Sequence, residues 1–144
     1  MAGASNSLQG GYFKAGRRVA AERGFMIGVM PPTAGANNYT SPDGKYQVFG
    51  AAGAASVTIP TTFLVTAGGA LAVSLAASTQ TTGGMMKTFV MIVDGGGDAT
   101  LTPSAVAGFQ GAATTAVFNN VNDTCVLQWN GSAWRWAGGT ATQA

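Results

Sequence analysis

Apolar side chains along the chain recur at a period of two over short stretches, and no window repeats them at the 3.6-residue period of a long amphipathic helix. Leu71, Val73 and Leu75 share one face while Ala72 and Ser74 take the other. Trp134 and Trp136 flank Arg135, as a half-buried strand requires. Met86 to Val93 becomes apolar on both faces after Thr88, the mark of a strand central in its sheet. The pattern predicts strands at Lys45–Phe49, Ser56–Ile59, Thr62–Val65, Ala70–Leu75, Met86–Val93, Ala99–Thr102, Thr115–Phe118, Thr124–Trp129 and Trp134–Ala137. Glycine-rich breaks separate them at Gly50 to Gly53, Gly68-Gly69, Gly83-Gly84, Gly95 to Gly97 and Gly108 to Gly111. Short strands so punctuated predict a mainly β domain of the sandwich, jelly-roll or barrel kind.

Two local signals sharpen this reading. Val126-Leu127-Gln128-Trp129-Asn130-Gly131-Ser132-Ala133-Trp134-Arg135-Trp136 predicts a C-terminal hairpin, because Asn-Gly tolerates positive φ and flanking aromatics pair across strands. Ahead of the β region the punctuation is different. Residues 1–24 are small and polar, with only Lys14 to Arg23 able to form two helical turns, too short to persist unaided. Phe25 to Met30 reads as a strand stopped by Pro31-Pro32. Residues 33–44 read as an irregular loop ending in a tight Asp43-Gly44 turn. The expected organisation is therefore an N-terminal arm and loop over residues 1–44, then a β-sandwich or jelly-roll domain over 45–144.

Composition narrows the function. The chain of 144 residues suits one domain. Its apolar side chains larger than alanine are enough for one core, since a chain of this size buries about 68–70% of its unfolded surface. It has no histidine, one glutamate (Glu22) and one cysteine (Cys125). Without imidazole it cannot build a Ser-His-Asp triad or a usual zinc site, so an enzyme is not expected. Cys125 sits in an apolar strand and reads as a buried structural thiol. No apolar run is long enough for a transmembrane helix, and Met1 to Ser7 lacks the charged and apolar regions of a signal peptide. The net charge of +2 is unevenly spread. Lys14, Arg17, Arg18 and Arg23 fall within ten positions, with Glu22 the lone acid among them, ahead of a nearly neutral remainder. Such an arm can be solvated, can meet nucleic acid electrostatically, or can grip acidic patches on a protein. With only Tyr12 and Phe13 available for stacking, specific nucleic-acid binding is not expected.

Several motifs have a chemical and a structural reading. Asp94-Gly95-Gly96-Gly97-Asp98 flanks a flexible loop with carboxylates, yet calcium needs six to eight oxygens, and a hairpin turn accounts for the same residues. Asp123 reads as a turn residue bonding local amides. Asn38-Tyr39-Thr40, Asn122-Asp123-Thr124 and Asn130-Gly131-Ser132 match the glycosylation acceptor but read as turn chemistry. The glycine runs lack the Gly-Lys-Ser/Thr ending of a phosphate loop. Neither metal nor cofactor is expected. Trp129, Trp134 and Trp136 could stack on sugars, or could cover a core or a subunit interface.

The run from Asp94 to Gly139 resembles a module of tailed-bacteriophage structural proteins. Its marks are the Gly-rich turn, Ala99-Thr100-Leu101-Thr102-Pro103, a Gly-spaced loop, a Thr-rich strand, the Asn119 to Asp123 turn and the Trp-Asn-Gly-Ser hairpin. The basic, Gly-broken arm resembles the capsid-gripping segments of decoration (cement) proteins. The resemblance implies a non-enzymatic virion protein, made in a host cytoplasm and placed on the outer capsid surface. It implies a homotrimer bound to the major capsid protein, bridging shell subunits to stabilise the head. Tyr12, Phe13, Lys14, Arg17, Arg18 and Arg23 would then contact the capsid. The alternative is a receptor- or glycan-binding tip of a head or tail fibre.

Overall fold

The structure, a computed structural model, describes residues 38–144. The expected helical turns at Lys14–Arg23 and the strand at Phe25–Met30 lie outside the described residues. So do the candidate contacts Tyr12, Phe13, Lys14, Arg17, Arg18 and Arg23.

The described residues hold twelve strands and no helix. In chain order they are β1 (Tyr39–Thr40), β2 (Tyr46–Phe49), β3 (Gly53–Ala55), β4 (Thr61–Val65), β5 (Leu71–Leu75), β6 (Met86–Val93), β7 (Ala99–Pro103), β8 (Val106–Ala107), β9 (Ala116–Phe118), β10 (Thr124–Trp129), β11 (Trp134–Gly139) and β12 (Thr142–Gln143). They form a seven-stranded sheet, β1-β2-β4-β6-β10-β11-β8, and a five-stranded sheet, β12-β9-β7-β5-β3. β6 is central in the larger sheet, as its two apolar faces require. The mainly β sandwich is thus observed.

Its strand order has a further character. From β2 to β7 the chain alternates between sheets, so β2, β4 and β6 pair in parallel in one sheet while β3, β5 and β7 pair in parallel in the other. Each parallel neighbour is reached through a strand of the opposite sheet, which supplies the crossover that parallel pairing demands. A jelly roll pairs its strands antiparallel; here antiparallel pairing enters with the β1–β2 hairpin and with β9, β10, β11 and β12.

Three sequence expectations are corrected. Ser56–Ile59 is a crossover, and the strand lies just before it at Gly53–Ala55. Thr58 N–H donates to Ser56 Oγ (3.3 Å), so the β-branched residues there serve a turn. Asp94–Asp98 is not a hairpin turn, because β6 and β7 belong to different sheets. It packs on the preceding crossover, Thr66–Ala70: Gly95 N–H donates to Thr66 Oγ1 (3.0 Å), and Leu71 N–H donates to Asp98 O (2.9 Å). A Cβ on Gly97 would collide with the Gly69 carbonyl, which is why glycine stands there. The β10–β11 hairpin forms as expected, but Trp129 pairs with Trp134 around four loop residues, and only Gly131 takes positive φ (102°).

The core lies between the sheets. Phe49, Leu64, Phe89, Met91, Cys125, Leu127, Trp129 and Trp134 from the larger sheet meet Leu71, Val73, Leu75, Ala99, Leu101, Ala116 and Phe118 from the smaller. Burying aliphatic and aromatic side chains of this size stabilises by about 1.5–3 kcal/mol each.

Candidate interaction surface

The outward face of the seven-stranded sheet is apolar too. Inward-facing Gln47, Phe49, Thr62 and Leu64 leave Tyr46, Val48, Thr61 and Phe63 pointing away from the core, because successive side chains alternate. The register sets Tyr39, Val48, Phe63, Val90 and Thr124 in one row across five strands. Tyr46, Thr61, Thr88 and Val126 form the next row. Tyr46 meets Phe63 at 5.7 Å and Tyr39 at 6.2 Å between ring centroids, both tilted. Val48 and Val65 are buried without belonging to the core cluster. The Tyr46 hydroxyl is buried with no hydrogen-bond partner among the described residues. Burial, and then the neighbouring Tyr39, push its ionisation above the usual phenol range. No charged side chain stands on β1, β2, β4 or β10, and the one on β6, Lys87, points inward; Arg135 on β11 is the first outward charge.

The three tryptophans of the hairpin sort differently. Trp129 and Trp134 are core residues, 2% and 0% exposed, packed edge to face at 5.2 Å. Their indole N–H groups donate to Gln80 O (2.8 Å) and Ala76 O (2.9 Å), fastening the β5–β6 connection onto the hairpin. Their faces are covered, so neither can stack on a sugar. Trp136 is half-buried on the core margin, edge to face with Phe109 at 5.6 Å.

Inside the sandwich, Lys87 is fully buried at the start of β6. Its ammonium donates to Ile59 O and to Thr62 Oγ1 (3.1 Å), and lies 5.1 Å from the centre of the Phe89 ring. Thr62 Oγ1 also accepts from Gln47 Nε2 (3.0 Å). Burial lowers the lysine's pKa to about 8. Cys125 is buried as expected, and burial pushes its thiol up to about 12.

The acidic loops spend their carboxylates locally. Asp94 Oδ1 accepts from Gly96 N–H (2.8 Å), and Asp123 Oδ2 accepts from Asn119 and Asn120 N–H (both 2.9 Å). Among the described residues no three His, Cys, Asp or Glu side chains cluster as metal ligands. Two of the motif asparagines serve their own turns, Asn122 with φ 77° and Asn130 with Oδ1 capping its loop. Asn38 Oδ1 instead accepts from the distant Gly50 and Ala51 N–H and tethers that loop. A shallow groove of about 280 Å³ beside edge strand β3 is lined by Gly53, Ala72, Val73, Ser74 and Thr102.

Sequence reasoning did not single out the outward face or Lys87. The face had a signal in the apolar residues of β6 that alternate with Phe89 and Met91. Lys87 had none, since one lysine opening a strand has the pattern of a solvated end. No protein-family model matches the chain, and no curated protein matches it either.

Proposed function

We propose that the chain is a non-enzymatic structural protein of a virion, one that associates with copies of itself and decorates an outer capsid surface. The observation that carries this reading is the uncharged outward face of the seven-stranded sheet. Aromatic and β-branched side chains with depleted charge are the composition of an interface centre, and Tyr46 brings a hydroxyl that lacks a partner among the described residues. This face serves for self-association, most simply as a trimer. The basic segment holding Lys14, Arg17, Arg18 and Arg23 serves for attachment to acidic patches of the major capsid protein. Several such segments on one oligomer raise the effective concentration of each contact and bridge neighbouring shell subunits. The burial of Trp129 and Trp134 leaves only Trp136 of the three tryptophans partly exposed, which weighs against a glycan-binding fibre tip.

Two measurements test the reading. Light scattering at micromolar concentration is expected to give a trimer for the wild type and a monomer for Phe63→Lys, whose charge lands in the middle of the face, with the β spectrum retained. Electron microscopy of purified particles is expected to place the protein on the shell exterior. A monomeric wild type, or density confined to a fibre, would sink it.

A further inference from the structure

The turn of the β10–β11 hairpin places an electrophile and a nucleophile side by side. Asn130 is exposed, and its Oδ1 accepts from Ser132 N–H (3.0 Å), Ser132 Oγ (3.2 Å) and Ala133 N–H (2.8 Å). Three donors on one amide oxygen polarise the carbonyl and stabilise negative charge developing there, the arrangement that favours addition at the carbon. The next residue is Gly131, whose backbone nitrogen is shielded by no side chain and donates no hydrogen bond among the described residues.

We propose that Asn130–Gly131 is a self-modification site, where the folded hairpin converts its own amide into a carboxylate. The Gly131 nitrogen attacks Asn130 Cγ, a C–N bond forms and the Cγ–NH2 bond breaks. Ammonia leaves with the proton from Gly131, giving a cyclic imide. Water then opens either imide carbonyl, leaving aspartate or isoaspartate. No oxidant or reductant takes part.

The other described asparagines lack this combination. After Asn119, the Asn120 nitrogen donates to Asp123 Oδ2 (2.9 Å). After Asn122, the Asp123 nitrogen donates to Asn120 O (3.0 Å). Asn38 and Asn120 are followed by Tyr39 and Val121, whose side chains obstruct ring closure. The product matters at this position because the tip is packed: a Cβ on Gly131 would approach Thr81 O at 2.8 Å. An isoaspartate inserts one extra backbone carbon into that turn and adds a negative charge.

The test is incubation of the folded protein at mildly alkaline pH, with digestion and mass mapping at intervals and enzymatic methylation to reveal isoaspartate. Urea-unfolded protein in the same buffer runs in parallel. Modification is expected at Asn130 first, with Asn38, Asn119, Asn120 and Asn122 unchanged. Ser132→Ala, which removes one of the three donors, is expected to slow it severalfold while near-ultraviolet circular dichroism of Trp129 and Trp134 is kept. Modification appearing first at another described asparagine overturns the proposal. So does an intact Asn130 in the folded protein once the unfolded chain has reacted there, a comparison that needs no variant. A Ser132→Ala rate equal to wild type overturns the role of the donors.

Discussion

Lys87 carries an ammonium into the sandwich with no carboxylate beside it among the described residues; its neighbours there are the Ile59 carbonyl, the Thr62 hydroxyl and the Phe89 ring. Burial lowers its pKa to about 8 from an unfolded value near 10.5. Below pH 8 both states hold the proton, and the desolvation cost of the charge weighs on the fold. Between about 8 and 10.5 the unfolded chain holds the proton and the folded chain does not, so stability rises with pH. The full span corresponds to roughly 3 kcal/mol. Cys125 works the other way, since its thiol ionises only in the unfolded chain above pH 9. Urea midpoints at pH 7 and 9 for wild type and Lys87→Met separate the two: the wild type is expected to gain on the variant as pH rises. Cys125 itself is expected to resist a thiol reagent until urea unfolds the chain, and Cys125→Ser to cost about 1–3 kcal/mol by burying a hydroxyl without a partner. The burial of Cys125 was legible in its apolar strand. That of Lys87 was not, because its hydrogen-bond partners, the Ile59 carbonyl and the Thr62 hydroxyl, stand 28 and 25 residues earlier in the chain.

Strand positions were legible where side chains alternate and glycines punctuate, as in β5, β6 and β10. The pairing was not, because a glycine run marks a reversal without saying whether the chain returns to the same sheet. Gly95 to Gly97 looks like a hairpin turn in sequence and is a crossover in space. Gly53–Ala55 had no signal at all: glycine and alanine read as a break, although they form an edge strand that pairs in parallel with β5. The stacked crossovers supply a test at this scale. Gly96 takes φ 105° with open space around its missing Cβ, so Gly96→Ala is expected to cost about 1–2 kcal/mol of backbone strain alone. At Gly97 a methyl collides with the Gly69 backbone, which no rotamer relieves. Gly97→Ala is expected to cost more, about 3 kcal/mol or above, as do other substitutions that force a packed backbone apart. Thermal unfolding of the two variants ranks them, and an equal cost would contradict the packing of one crossover on the next.

Over the whole molecule, charge and core occupy different stretches of chain. Four of seven basic residues lie between positions 14 and 23, whereas among the described residues the core cluster begins at Phe49. Deleting residues 1–24 is therefore expected to leave the β spectrum in place while occupancy on purified particles falls sharply. Neutralising Lys14, Arg17, Arg18 and Arg23 is expected to weaken attachment less, and more so at low salt, where exposed ion pairs count most. Full decoration by the truncated protein would assign attachment to the β domain. The outward face was legible only as apolar residues on both sides of β6, since telling it from a core face requires the position of the second sheet. The alternation of β2 through β7 between the sheets has one more consequence. Each passage through both sheets repeats one path in space without repeating a sequence, and antiparallel strands flank the stack on both sides, β1 against β2 and β10 and β9 against β6 and β7. A duplicated passage would lengthen the body by about 4.8 Å, one interstrand spacing, while its cross-section and terminal cap stayed as they are. The molecule is in this sense a ruler whose gradations are whole turns of chain.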